Sequence, residues 1–370
     1  MAVSRRMCVK GIGSVLGIAA AGSVSPLFSK RSVEKEHIAR FWHTSGDSII
    51  CELCPNGCVI RSGKTGTCRN RCNRDGTLVA LGYANPCAVH IDPIEKKPLY
   101  HMTPGARTYS IGVAGCNLRC RNCQNYSISQ RSPLETDNIY LPPQKAVEDA
   151  LKHKCTVVAF TYTEPSVWIE YVVDTAAAAK KAGLKTVLVS SGYINPAPFE
   201  ELADVLDAAR IDLKSFSDTV YHDLNAGKLQ PVLDTLKRAK KRGVWLEVIN
   251  LVIPGWNDAP EEITSLCEWV SSELGTDTPL HFTRFFPMYQ LKNSYHTPVS
   301  TLRKAMKIAG ETGMKYVYIG NVAGIGSTTR CPHCDKVLVD RSGYVVRAYH
   351  IVNGKCAFCG TRIAGIWESK

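Results

Sequence analysis

The chain has 370 residues, 45% of them hydrophobic and 21% charged, with a formal net charge of +12. This composition excludes a largely disordered chain, and the length predicts about two to three domains. The surplus Lys and Arg is spread along helical faces, as in KRAKKR at 237–242, and no nucleic-acid-binding signature accompanies it, so nucleic acid is not an expected partner.

Residues 1–30 place paired arginines in SRRMCVKG (4–11) ahead of an uncharged run from Gly11 to Phe28, the layout of a twin-arginine export signal. Cys8 and Val9 stand where such signals usually carry Phe and Leu. The run is too weakly apolar for a stable membrane span. Export to the periplasm is the expectation, with an ordinary N-terminal helix and a cytoplasmic protein as the alternative.

The sixteen cysteines fall into groups. In a module spanning 31–104, Cys51, Cys54, Cys58 and Cys68 are set out as C-x2-C-x3-C plus one, with GKTGTC supplying a turn. Such spacing brings thiolates close enough to share a metal, whereas disulfide frameworks belong mostly to small secreted domains. The set suits either zinc or an auxiliary iron–sulfur cluster. Cys72 and Cys87 are additional candidate ligands, while Cys155 and Cys267 read as packing residues.

From 105 to 326 strand-like and helix-like segments alternate. Short β-branched or aromatic runs at 107–114, 156–161, 186–191, 209–214, 244–252, 280–286 and 316–320 are separated by helical patterns at 143–154, 166–183, 196–206, 231–243, 260–274 and 299–313. In the fourth helix Val232, Leu233, Leu236 and Ala239 share one face, and Gly243 is the stop signal. The alternation predicts a parallel sheet wound by right-handed crossovers, and six or seven units suit a partial (β/α)6 barrel better than a closed eight-stranded one. The stretch GCNLRCRNCQN directly follows the first strand, so Cys116, Cys120 and Cys123 are expected at the C-terminal mouth of the sheet, where such folds carry their chemistry. Three thiolates in this spacing suit an iron–sulfur cluster one ligand short, or a zinc or ferredoxin-like site with a distant fourth cysteine.

At the C-terminus, residues 327–370, CPHC (331–334) and CAFC (356–359) form two C-x2-C knuckles around a turn at Asp340–Gly343. Cys331, Cys334, Cys356 and Cys359 read as a structural four-cysteine zinc site of ribbon or rubredoxin type, with iron as the alternative.

GCNLRCRNCQN after a first strand resembles the radical S-adenosylmethionine (SAM) superfamily. That resemblance implies a [4Fe–4S] cluster on Cys116, Cys120 and Cys123, an open iron chelated by SAM, reductive cleavage to a 5′-deoxyadenosyl radical, and a low-potential electron donor. It also implies a set of SAM-site residues. In TYTEP (161–165), where the superfamily has a Gly-Gly-Glu-Pro-like segment, Thr163 and Glu164 would border the methionine ammonium. IDLKSFS (211–217) is similar to the DLK segment of glycyl-radical-enzyme activases, which assigns Lys214 to the SAM carboxylate, as the catalytic candidate, and Asp212 to ordering the site or binding a cation. Asn122 occupies the position where an aromatic residue commonly packs on adenine, and Phe286 the position of an activase histidine. Together with CELCPNGCVIRSGKTGTC (51–68), DPIEKKPLYH (92–101), YTEPSVW (162–168) and LVIPGWND (251–258), the chain looks like the radical SAM enzymes of the AmmeMemoRadiSam system, named for Memo-like and AMMECR-like associates. The implied activity is hydrogen abstraction from a protein or peptide. An iron–sulfur electron-transfer protein and a zinc-ribbon binding protein are the alternatives.

Overall fold

The computed structural model describes residues 36–367, and the export-like leader lies outside the described residues. Among the described residues no helix is long and apolar enough to cross a membrane. The N-terminal module is made of short antiparallel strands: β1 (Trp42–Ser45), β2 (Ser48–Cys51) and β3 (Val59–Arg61) form one sheet, and β4 (Arg71–Arg74) and β5 (Thr77–Ala80) form a hairpin.

The centre is an eight-stranded sheet. β6 (Ala88–Pro93) forms one edge and runs antiparallel to β7 (Arg107–Gly112). Then follow, all parallel and in chain order, β8 (Val157–Phe160), β9 (Lys185–Ser190), β10 (Ala208–Asp212), β11 (Trp245–Val252), β12 (Leu280–Arg284) and β13 (Val317–Gly320). The seven parallel strands coincide with the seven runs read from the sequence. The two outermost strands do not pair with each other, so the barrel is open, as six crossovers require.

The crossover helices cover the outside. The helix Gln230–Lys241 shows why each one sits where it does: Val232, Leu233, Leu236 and Ala239 are buried, its Lys and Arg face away, and Gly243 at φ +74° lets the chain turn back into β11. Each such large apolar side chain contributes about 1.5–3 kcal/mol on burial. Cys155 and Cys267 are part of this core, as packing residues.

The run DPIEKKPLYH, for which the sequence offered no physical account, closes the N-terminal end of the barrel. Tyr100 and His101 donate their backbone N–H groups to Glu247 of β11, at 3.0 and 2.8 Å. Glu247 also accepts from His281 of β12 at 2.7 Å, and the His101 ring bonds the Tyr318 hydroxyl of β13 at 2.6 Å.

The C-terminal module locks onto this floor. Its strands are β14 (Thr329–Arg330), β15 (Val337–Ser342), β16 (Val345–Tyr349), β17 (Ile351–Val352) and β18 (Lys355–Cys356). Arg341 of β15 is buried, donates to the Tyr100 carbonyl at 2.7 Å, and places its guanidinium over the Tyr100 ring at 4.3 Å. The chain then returns to the floor, where Ile366 donates to the His101 carbonyl and accepts from Thr103, both at 2.8 Å.

Candidate active site

The parallel strands all deliver their C-terminal ends to one mouth, where a cavity of about 330 Å³ opens. The loop after β7 lines it with Cys116, Cys120, Asn122 and Cys123. That loop is held by backbone bonds on both flanks: Arg119 and Arg121 donate to the carbonyls of Asn225 and Leu224, both at 2.9 Å, and Gly115 donates to the carbonyl of Ile128 at 3.0 Å. Burial pushes the Cys116 thiol well up and Cys120 up as well, so each favours the neutral form until a metal displaces its proton. All three thiols face the cavity on the described loop, which fits a metal cluster bound from one side. Among the described residues, the C-terminal four cysteines alone have their ligand atoms within 4.8 Å of one another. The triplet is therefore more widely spaced than one ion requires.

Opposite the loop, β10 and the residues just past its end aim three charged side chains into the cavity. Arg210, Asp212 and Lys214 sit at alternate positions and so share one face. Asp212 lies 2.5 Å from Arg210 and 2.9 Å from Lys214. Burial alone would raise the Asp212 pKa and lower that of Lys214. The opposite charges prevail, so the carboxyl is held down and the ammonium up, and both are charged. Tyr221 supports the turn by accepting the Lys214 N–H at 3.1 Å.

Three polar groups around the cavity are buried without a protein partner: the Asn122 Oδ1 of the loop, the Asn225 Oδ1 and the Arg210 Nε. Unpartnered buried groups cost about 1–3 kcal/mol each, and all three residues line the cavity, so a polar ligand in it would recover that cost. Asn122 thus faces the cavity with an amide where an aromatic ring was the expectation from the resemblance. Phe286 is half exposed, packs against Arg284, and is not part of the cavity lining.

Glu164 is held by donors of the chain itself. Its carboxylate accepts from Ser190 Oγ at 2.7 Å, from Ser191 N–H and Oγ at 2.8 and 2.6 Å, and from Ser166 N–H at 3.2 Å. It is fully buried and does not line the cavity. Its oxygens are occupied by the chain's own donors, so it fixes the ends of β8 and β9, and Thr161, Thr163, Ser190 and Ser191 are the groups exposed to the cavity there. Thr163 also donates its hydroxyl to the Val113 carbonyl, which ties it to the loop after β7.

The replacement of glycine by Tyr162 has a structural counterpart. Tyr162 adopts φ +75°, a left-handed conformation that glycine favours and that costs other residues about 1–2 kcal/mol. Gly112 makes room for it, since a Cβ there would lie 2.5 Å from the Tyr162 ring. The hydroxyl donates to Asp92 at 2.8 Å, and Lys97 stands 5.5 Å from the ring centre. Lys97, buried, bonds Asp92 at 2.7 Å and Ser110 at 2.6 Å on the cavity wall. Burial would raise the Asp92 pKa, but hydrogen bonds from Lys96 and Lys97 hold this carboxyl well below the usual carboxylate range.

Several of these residues were not singled out in the sequence. Arg210 carried a signal, since it shares the strand face of Asp212 and Lys214. Asn225 and Lys97 carried none, because their placement depends on tertiary contacts.

The C-terminal cysteines converge. Cys331 and Cys359 sulfurs are 3.6 Å apart, and those of Cys334 and Cys356 are 3.7 Å apart. Four thiolates about 2.3 Å from one tetrahedral ion stand roughly 3.8 Å from each other, so the set fits a single metal with no open position. In the N-terminal module Cys51, Cys54 and Cys68 are buried and Cys58 is partly so. Cys72 packs apart from them with Val79 and Leu81, and Cys87 directs its thiol to the Gly112 carbonyl at 3.7 Å.

Residues 110–267 match the sequence profile described as the radical SAM superfamily. The chain is 42% identical over 332 residues, 88% of its length, to an uncharacterized protein of Methanocaldococcus jannaschii, of which the match covers 98%. Among solved structures it is similar to a domain of pyruvate-formate lyase-activating enzyme from Bacteroides vulgatus, at 17% identity and TM-score 0.40, covering 44% of this chain and 98% of that one. It is also similar to Streptococcus suis SuiB bound to S-adenosylmethionine, at 12% identity and TM-score 0.46, covering 62% of this chain and 53% of that one.

Proposed function

Since the chain belongs to the radical SAM superfamily, we propose that it binds a [4Fe–4S] cluster on Cys116, Cys120 and Cys123 together with SAM, and abstracts hydrogen from a protein or peptide. The observation that carries this reading is the mouth itself: three thiols and the unpartnered Asn122 Oδ1 on one wall, and the paired Asp212 and Lys214 with Arg210 on the facing wall. When bound, the cluster and SAM supply the electron and the 5′-deoxyadenosyl radical.

The chain's own residues do the rest. Lys214, kept cationic by Asp212, is oriented to receive a carboxylate, and Asn122 and Asn225 offer amide donors and acceptors to a polar ligand between the walls. Ile249, Leu251 and Ile253 give the cavity an apolar side that excludes water from a reactive intermediate. Support for a peptide substrate comes from the rim, where exposed Tyr126 stacks on Tyr289 at 4.8 Å and Arg121 lies over Trp256 at 5.6 Å. Aromatic and Arg side chains of this kind are enriched where proteins bind one another.

Anaerobic reconstitution with iron and sulfide, followed by dithionite and SAM, is expected to yield 5′-deoxyadenosine. Its absence sinks the reading. Deuterium carried into 5′-deoxyadenosine from deuterated Memo-like or AMMECR-like protein would identify the hydrogen donor, and no transfer from any protein or peptide would remove the substrate class.

A further inference from the structure

We propose that Cys51, Cys54, Cys58 and Cys68 hold a second iron–sulfur cluster of the four-iron type, seated directly behind the catalytic loop. The proposal concerns a different site from the one read above, and rests on that reading only for the comparison with the Cys116 loop.

The four cysteines come from the end of β2 and the two turns that follow, and the backbone draws them together. Cys51 donates its N–H to the Cys58 carbonyl at 2.9 Å. Cys58 Sγ accepts the Thr67 N–H and donates to the Thr67 hydroxyl, both at 3.4 Å, which brings Cys68 alongside. The thiols stand within electrostatic reach of one another, Cys54 with Cys68 and Cys51, and Cys51 with Cys58.

Their local geometry repeats that of the ligand sets elsewhere in the molecule. In the C-terminal four-cysteine site, Cys356 Sγ accepts the N–H of residue i+2, Phe358, at 3.4 Å, and Cys334 and Cys359 accept likewise from Lys336 and Thr361. In the catalytic loop, Cys116 accepts from Leu118 at 3.4 Å. The same i+2 bond is made at Cys51 by Leu53, at Cys54 by Asn56 and at Cys68 by Asn70. A turn that aims an N–H at sulfur offers a donor to a metal-bound sulfur.

Arg71 supplies an independent sign. Its guanidinium is fully buried and bonds Glu170 at 3.1 Å and the Arg40 carbonyl through one nitrogen. The other two nitrogens, Nε and Nη1, have no partner, and beyond Glu170 the titratable groups near Arg71 include Cys51 and Cys68. Neutral thiols give those N–H groups little, while a cluster with anionic thiolates and bridging sulfides gives them acceptors.

The thiols of the Cys51 set are less closely gathered than those of the C-terminal site. The C-terminal set meets the roughly 3.8 Å sulfur spacing of one tetrahedral metal, and it alone among the described residues has all its ligand atoms within 4.8 Å. The Cys51 set is not gathered in that way, and neither is the Cys116 triplet. Each thiolate of a four-iron cluster takes its own iron, so its ligands stand further apart than those of a lone ion.

The site touches the catalytic loop. The Cys68 carbonyl lies 2.4 Å from the position a Cβ on Gly115 would take, so only glycine, here at φ +102°, fits before Cys116. On the other side of Cys116, Asn56 donates its side-chain amide to the Asn117 carbonyl at 2.8 Å.

The unaltered full chain, reconstituted anaerobically with iron and sulfide, is expected to bind about eight iron and about eight sulfide, as two such clusters require. The variant C116A/C120A/C123A is expected to keep half of each, with a dithionite-reduced paramagnetic signal that SAM does not change. Adding C54A and C68A is expected to remove the remainder while the metal of the C-terminal site stays, which reports that the fold persists. A triple variant that retains its C-terminal metal but binds no iron and sulfide, or binds zinc without sulfide, at the second site overturns the proposal, whatever the count in the unaltered chain. Failure to cleave SAM sinks the catalytic reading alone and leaves the triple variant's count unchanged.

Discussion

Ser191 gives both its backbone N–H and its hydroxyl to one oxygen of Glu164, at 2.8 and 2.6 Å. The ends of two neighbouring strands are thereby fixed to one buried carboxylate, and their placement sets where Ser190 and Ser191 meet the cavity. Glu164→Gln is expected to destabilise the fold by about 2–4 kcal/mol, because hydrogen bonds to a charged group contribute about 1.5–3 kcal/mol each and the amide cannot accept them all. Urea unfolding followed by circular dichroism measures this. A weaker SAM affinity with unchanged stability would instead make Glu164 a direct ligand contact.

Lys214→Met is expected to raise the SAM dissociation constant at least tenfold, about 1.4 kcal/mol. Asp212 keeps Arg210 as a partner 2.5 Å away, so the loss falls mainly on binding and less on folding. Calorimetric titration of the reconstituted protein gives the constant, and an unaltered value would remove Lys214 from the site.

The floor of the barrel predicts acid sensitivity. Burial holds His101 at about 4, and burial likewise lowers His281. A group whose pKa is lower folded than unfolded makes the unfolded chain bind more protons, so stability falls as pH drops from about 6.5 towards 4. For His101 alone the loss is about 3 kcal/mol across that window. Denaturation midpoints at stepped pH should show the decline, and His101→Gln should flatten it.

Cys356→Ser is expected to release the C-terminal metal and loosen its module, since structural four-cysteine sites gain roughly 10–16 kcal/mol of apparent binding energy from zinc. Arg341 and Tyr344 belong to this module, one bonded to Tyr100 and the other lining the cavity. Faster amide hydrogen exchange should therefore appear at 98–103 as well as at 331–363. Exchange confined to the module would show that the two parts are not coupled.

The parallel strands and their helices were legible because a period-two or 3.6-residue apolar pattern is a local property, and both survive in the fold with small shifts of their ends. The Cys116 loop was legible for the same reason, as spacing along one strand end. The roles of Glu164 and DPIEKKPLYH were not. A carboxylate's function depends on which donors reach it first, and Ser190 and Ser191 lie a whole crossover away from Glu164. Asp92, Lys97 and Tyr162 likewise form one cluster from two segments that no periodicity links. The antiparallel edge β6 carried only six residues, two of them exposed, and offered no clear pattern.

The tie between His101 and the tail has a consequence for how the molecule is made. The His101 ring bonds the Ala364 carbonyl across 263 positions of chain. At ribosomal speeds of about 5–20 residues per second, roughly 15–50 seconds separate the two partners during synthesis. The nascent barrel therefore waits with its base unsealed until the last residues emerge, and a ribosome that stalls before them leaves Tyr100, His101 and Glu247 open to water.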